Sequence, residues 1–491
     1  MPKPTRRWLI VLLVTAVVVG RLGQRPAAAD DDPFTEGAKA FHEEAYATAV
    51  TQLTRFLELS PHAPNATEAR LLLGRADFLL GRYPAALVEL RQAMGPEGSP
   101  PTADALYWLG EALLKSGDTE SARRSFQQML DQFPASSYAP FARLSIAWSY
   151  WQVGRWDEAL ANFQAVVDQF PDDPLRIEAQ CRAGECLLRL NRAAEAVETL
   201  EVFVTAYPVT HAAPQAYFLL AEAHMALRHY DEAIDAYRKS AGLAHHGPWA
   251  PYAVSGIGLA AFAQHQYAAS AEAFTDYLEH YPRGPQHDQV RFYLGRALLA
   301  LGRAPDAMDA WDQLVQHAPS SPWAAEALLW RGETWSRQGR FVDAAAAFQQ
   351  LLDQHPSSAL VPDAAYALGW AQQQAGALTD ALATFERVAV ENPNARQRAS
   401  ALAQTADLLM RAGEYDAAAA RYDRLMADCQ EPPYADYAQY QLGRALMAQG
   451  RLAAAALAFD ALTNRFPQSP LRARAQQLAT LAGRQPHKEM T

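Results

Sequence analysis

Residues 327–356, ALLWRGETWSRQGRFVDAAAAFQQLLDQHP, decide the fold. Leu328, Leu329 and Gly332 recur at helical spacing, and after a break at Gly339 so do Phe341, Ala344, Phe348 and Leu352. Pro356 lacks a backbone N–H and stops the second segment. The stretch reads as two helices joined by a tight turn. Each has one apolar face, and a lone pair has nothing to bury it against. The pattern demands neighbours.

Those neighbours recur every 37 residues. With the first residue of the second helix as anchor, the anchors are Tyr46, Tyr83, Thr119, Trp156, Ala193, Tyr230, Tyr267, Ala304, Phe341, Leu378, Tyr415 and Leu452, ten steps of 37 residues and one of 36. Three residues after each anchor stands Ala, with Ser270 the exception. Seven after it comes a bulky apolar residue such as Leu53, Phe126, Tyr237, Trp311, Phe348 or Phe459. Nine before it lies Gly in nine units and Ala147, Ala221 or Ala406 in the other three. Fifteen after it, nine units carry Pro, from Pro61 to Pro467. Four columns held in phase over twelve units are a repeat and not chance.

In these columns the chain resembles the tetratricopeptide repeats, helix–turn–helix units of about 34 residues with small, aromatic and proline positions in this order. The resemblance covers residues 33 to about 468. It implies an all-α, right-handed superhelical solenoid of about twelve repeats whose first helices line the concave surface. Two departures stand out. The family's Trp early in the first helix is replaced, by Arg70, Arg143, Arg291 and Gln439 among others. A position late in the second helix that is usually small holds Phe56, Val166, Phe203, Tyr277 or Leu351.

The ends of the chain read differently. Lys3, Arg6 and Arg7 precede the apolar run Trp8–Val19, and Ala27, Ala28 and Ala29 follow before three aspartates. That is the pattern of a secretory signal peptide over residues 1–29, with cleavage after Ala29. The run has 12 residues, short of the ~20 that a spanning helix needs. An uncleaved anchor is the alternative. Thr5-Arg6-Arg7 resembles a twin-arginine signal, but the strongly apolar run favours general secretion. No Cys stands at the cleavage site for lipid attachment. At the other end Ser469-Pro470 opens a helix with Leu471, Ala475, Leu478 and Ala482 on one face, so residues 469–491 read as a capping helix and polar tail. The repeat array is expected over residues 30–468, in a periplasmic or secreted protein.

Residues 1–29 carry five basic and no acidic side chains, leaving 38 basic against 54 acidic in residues 30–491, a net −16. Such a chain lacks the basic footprint of a nucleic-acid binder, and nothing in it favours an anionic membrane surface. Cys181, Cys186 and Cys429 each fall in columns held elsewhere by core residues and read as packing residues. His245-His246 reads as a solvated loop, so no metal site and no cofactor is expected. Repeats and cap fill residues 33–484, which leaves no room for a catalytic domain.

Binding is then the expected role. Eight residues before the anchors, the resemblance places Arg75, Glu111, Trp148, Glu185, Glu222, Leu259, Arg296, Glu333, Trp370, Asp407 and Arg444 on the concave face. Repeat seven has Ser255 and Gly256 where other units are bulky, which reads as a hollow walled by Phe218, Phe292 and Tyr293. The joints Pro319-Ser320-Ser321 and Pro467-Gln468-Ser469 resemble those of bacterial periplasmic repeat proteins of the Tol–Pal and outer-membrane barrel assembly systems. This implies a non-catalytic scaffold that holds protein or peptide partners of the cell envelope. The alternative is a glycan-binding accessory of polysaccharide export or cell-wall remodelling, with Trp108, Trp148, Trp330 and Trp370 stacking on sugars.

Overall fold

The computed structural model describes residues 32–95, 101–391, 395–429 and 434–484. The signal segment, most of the loop Gly95–Pro101, the loop Glu431–Pro433 and the tail from Pro486 lie outside the described residues. Within them every regular element is a helix. The second helix of every repeat begins at its anchor, from Tyr46–Leu59 to Leu452–Arg465. The first helices run from Pro33–His42 to Tyr434–Ala448, and Arg472–Arg484 follows as the final helix. The chain splits into two compact units, Met1–Asp276 and Tyr277–Thr491. Each is a helical solenoid built by packing of successive helices.

Two local devices make each pair. The first is the turn. Two residues before each anchor the backbone is left-handed: eight of the twelve positions are Gly, as at Gly339 with φ of 74°, and the rest are Glu44, Asn191, Arg228 and His265. Around Gly339 the Arg340 N–H donates to the Trp335 carbonyl at 2.9 Å, which closes the end of the first helix. The second device is close approach. A Cβ built on Gly332 would lie 2.4 Å from the ring of Phe348, and one on Gly110 2.5 Å from that of Phe126. The missing methyl is the seat of the large residue sixteen positions on. Trp311 uses the same seat and donates its Nε1–H to the Phe292 carbonyl at 3.1 Å. Each such ring, fully buried, stabilises its pair by about 1.5–3 kcal/mol.

Successive pairs are joined by a further ring contact. Tyr107 stacks on Tyr138 at 4.6 Å, Phe218 meets Trp249 at 5.2 Å, and Phe292 meets Trp323 at 5.3 Å. In each case a first-helix ring meets the aromatic that opens the next repeat. Cys181 and Cys186 are buried and unbridged, and burial pushes both thiols up to about 12. Among the described residues no helix is long and apolar enough to cross a membrane, and no three His, Cys, Asp or Glu gather as a metal site.

Candidate functional site

The first-helix column eight before the anchor is where binding residues are expected, so its contacts decide what it offers. In the first unit most of it is spent inside the array. The Arg75 guanidinium lies between the rings of Phe41 and Trp108, 4.9 and 5.1 Å from their centroids, and 3.9 Å from Asp104. Glu111 is buried and accepts a 2.6 Å hydrogen bond from Ser145. Trp148 is only 4% exposed, with the Arg182 guanidinium 5.0 Å from its ring centroid. Arg182 also pairs with the buried Glu185 at 2.6 Å.

Glu222 accepts from the Tyr237 hydroxyl. Burial holds its carboxyl above the ordinary value, an effect that the tyrosine hydrogen bond partly offsets. Burial first, then the neighbouring carboxylate, pushes the Tyr237 phenol well above its own ordinary value. This pair also accounts for Gly256. In the sixth repeat Ala221 stands where nine others have glycine, and Tyr237 meets Phe218 at 5.8 Å as Phe126 meets Tyr107. The ring also reaches the next first helix, where a Cβ on Gly256 would lie 2.5 Å from it. The space read from sequence as a hollow over Gly256 therefore holds the Tyr237 ring. Ser255 is buried and donates to the Tyr252 carbonyl at 3.0 Å. Of the expected walls, Phe218 packs against Tyr237 and Trp249 in the first unit. Phe292 and Tyr293 pack against Trp323 in the second.

The second unit is less closed. The Arg296 guanidinium lies 4.2 Å from the Trp330 ring centroid. Asp407 accepts from Tyr422 at 2.6 Å and from Tyr437 at 2.7 Å, and both phenols are pushed up, by burial first and then by those bonds. Glu333 pairs with the exposed Arg337 at 3.1 Å, with its own side chain 40% exposed. Trp370 is 38% exposed and touches Phe341 edge-to-face at 5.6 Å. Arg444 is exposed and donates to Gln441 at 3.0 Å. Sugar stacking is thus closed to Trp108 and Trp148, which are buried with an arginine on each ring.

Sequence reasoning missed the covering column, eleven residues before the anchor. Its residue in one repeat lies over the binding-column residue of the repeat before, as in Arg75 with Trp108, Glu111 with Ser145, Trp148 with Arg182 and Arg296 with Trp330. The signal was present as complementary residue types 33 or 34 positions apart. Also missed were grooves between successive inter-repeat loops, one bordered by Ser137, Phe141 and Phe170, another by Trp323, His355 and Leu360.

Three models of tetratricopeptide repeats match the chain. One matches at residues 42–97, 144–209, 256–322, 310–359, 336–396 and 404–470, and the others at 104–136 and 214–244. The chain belongs to the tetratricopeptide repeat family. No curated protein sequence matches it. Among solved structures it is similar to MamA from Desulfovibrio magneticus, at 21% identity over 39% of this chain and 99% of that one, with a TM-score of 0.33. It is similar also to PilW, a widely conserved type IV pilus biogenesis factor, at 20% identity over 46% and 98%, TM-score 0.37. A tetratricopeptide repeat protein of Parabacteroides merdae aligns at 14% identity over 55% and 98%, TM-score 0.38. These are likenesses of fold. Tetratricopeptide arrays are typically non-catalytic scaffolds for protein interaction, and this chain has that build.

Proposed function

We propose that the protein is a non-catalytic scaffold of the bacterial cell envelope that holds protein or peptide partners on its first-helix face. The observation that carries the reading is coverage: tetratricopeptide repeats occupy nearly all of residues 42–470. The envelope location rests on the signal-like segment 1–29. The binding face rests on Glu333, Trp370 and Arg444, which internal packing leaves accessible.

Cross-linking in intact cells, followed by mass spectrometry of the captured proteins, tests both parts. Envelope proteins joined to first-helix positions near Glu333, Trp370 or Arg444 are the expected result. Capture confined to second-helix positions, or of cytosolic proteins alone, would overturn the reading.

A further inference from the structure

Three tryptophans of the binding and covering columns have an arginine over the ring: Trp108 with Arg75, Trp148 with Arg182 and Trp330 with Arg296. Which column supplies the ring varies from pair to pair. Trp330 and Trp108 are covers, whereas Trp148 is covered. The geometry is constant, with the guanidinium 4.2–5.1 Å from the centroid. The chain thus uses one device repeatedly at this place in the fold, a guanidinium held on an indole face between neighbouring first helices.

Trp370 breaks the series. It occupies the same column as Trp148, and the residue in the position of Arg182 is Gln404, which offers no cation. Among the described residues no arginine or lysine lies over the Trp370 ring, which meets Phe341 edge-to-face. The residue as a whole is 38% exposed. One repeat earlier in the same column stands Glu333, and the cover of Glu333 is the small Ala367. The second unit therefore has an open indole without the cation that closes the equivalent sites, and one repeat back along the column a half-exposed carboxylate paired with Arg337.

We infer that Trp370 is the docking site for an arginine side chain of a basic partner polypeptide, which completes from outside the pair that Gln404 leaves unmade. The recognition chemistry is that of the three internal pairs, in which the indole face receives the guanidinium. The net −16 of residues 30–491 draws such a partner. Arginine fits better than lysine because its flat, weakly hydrated guanidinium stacks on a ring, whereas an ammonium keeps its water. The inference rests on the scaffold reading and gives one of its contacts a chemistry.

The test uses the full chain and two nine-residue peptides that carry three arginines or three lysines on the same Gly/Ser background. Affinities are measured by fluorescence polarisation in wild type, Trp370→Ala and Gln404→Arg. Wild type is expected to bind the arginine peptide roughly two- to five-fold more tightly than the lysine peptide. Trp370→Ala removes that preference while both peptides keep their charge-driven binding. Gln404→Arg supplies the guanidinium internally and also removes the preference, without deleting the ring. Circular dichroism melts establish that both variants fold. Equal affinity of wild type for the two peptides, or a preference that survives both variants, would overturn the inference. The outcome is separable from the scaffold reading, because envelope partners cross-linked near Arg444 with no arginine preference would sink this site and leave that reading standing.

Discussion

At the scale of the residue, the turns show one backbone conformation achieved with different side chains. The position two before each anchor is left-handed in every repeat, and a residue with a Cβ is strained there by roughly 1–2 kcal/mol. Gly339 avoids that cost, and a Cβ added to it would touch nothing within 4 Å. Gly339→Ala is therefore expected to lower stability by about 1 kcal/mol through conformation alone. Arg228, exposed and at φ of 62°, bears the strain already, so Arg228→Gly is expected to raise stability by up to about 1 kcal/mol. Denaturant midpoints of the two variants should move in opposite directions. Movement of both the same way would show that the side chains, and not the left-handed backbone, set the energy of these turns. The position was readable in advance, since eight of its twelve residues are glycine, yet the break at Gly339 alone does not show that Glu44 or Arg228 adopts the same conformation.

At the scale of the element, the helix pairs were legible and their cross-contacts were not. Helix starts follow from columns within one repeat, where period and glycine speak directly. The covers of Arg75, Glu111 and Trp148 come from the next repeat, and a column read by itself shows these three as solvent-facing polar and aromatic residues. Gly256 misled for a similar reason: a small residue signals a space, and only the neighbouring helix shows that Tyr237 fills it. The Tyr237–Glu222 bond lets the pairing be tested by pH. Burial raises the Glu222 carboxyl above its ordinary 4.5, so the ionised form is disfavoured in the fold. The sign follows: its contribution to stability is fullest below the unfolded-state pKa and is lost as pH rises through the folded-state one. Glu222→Gln keeps an acceptor for Tyr237 without the charge. It is expected to raise the melting temperature at pH ~7, with the gain vanishing below pH ~4, where the wild-type carboxyl is protonated too. Melts that shift equally at both pH values would mean that the charge of Glu222 is not penalised.

At the scale of the whole molecule, a stack of pairs has no single core, so its ends need their own solution. In the second unit the last helix, Arg472–Arg484, places Ala475 and Ala482 against a cluster that includes Phe459, Leu462 and Phe466. Ser469 also donates to the buried Asp436. Ending the chain after Pro467 uncovers that cluster and removes a bond from a buried carboxylate. In a nearest-neighbour stack the damage is confined to the adjoining pair. Amide exchange should then speed up in Tyr434–Ala448 and Leu452–Arg465, while Pro322–Arg337 keeps its protection. A uniform loss across the second unit would instead mean that its repeats unfold as one cooperative block, and stability at Trp370 would then depend on a helix that never touches it.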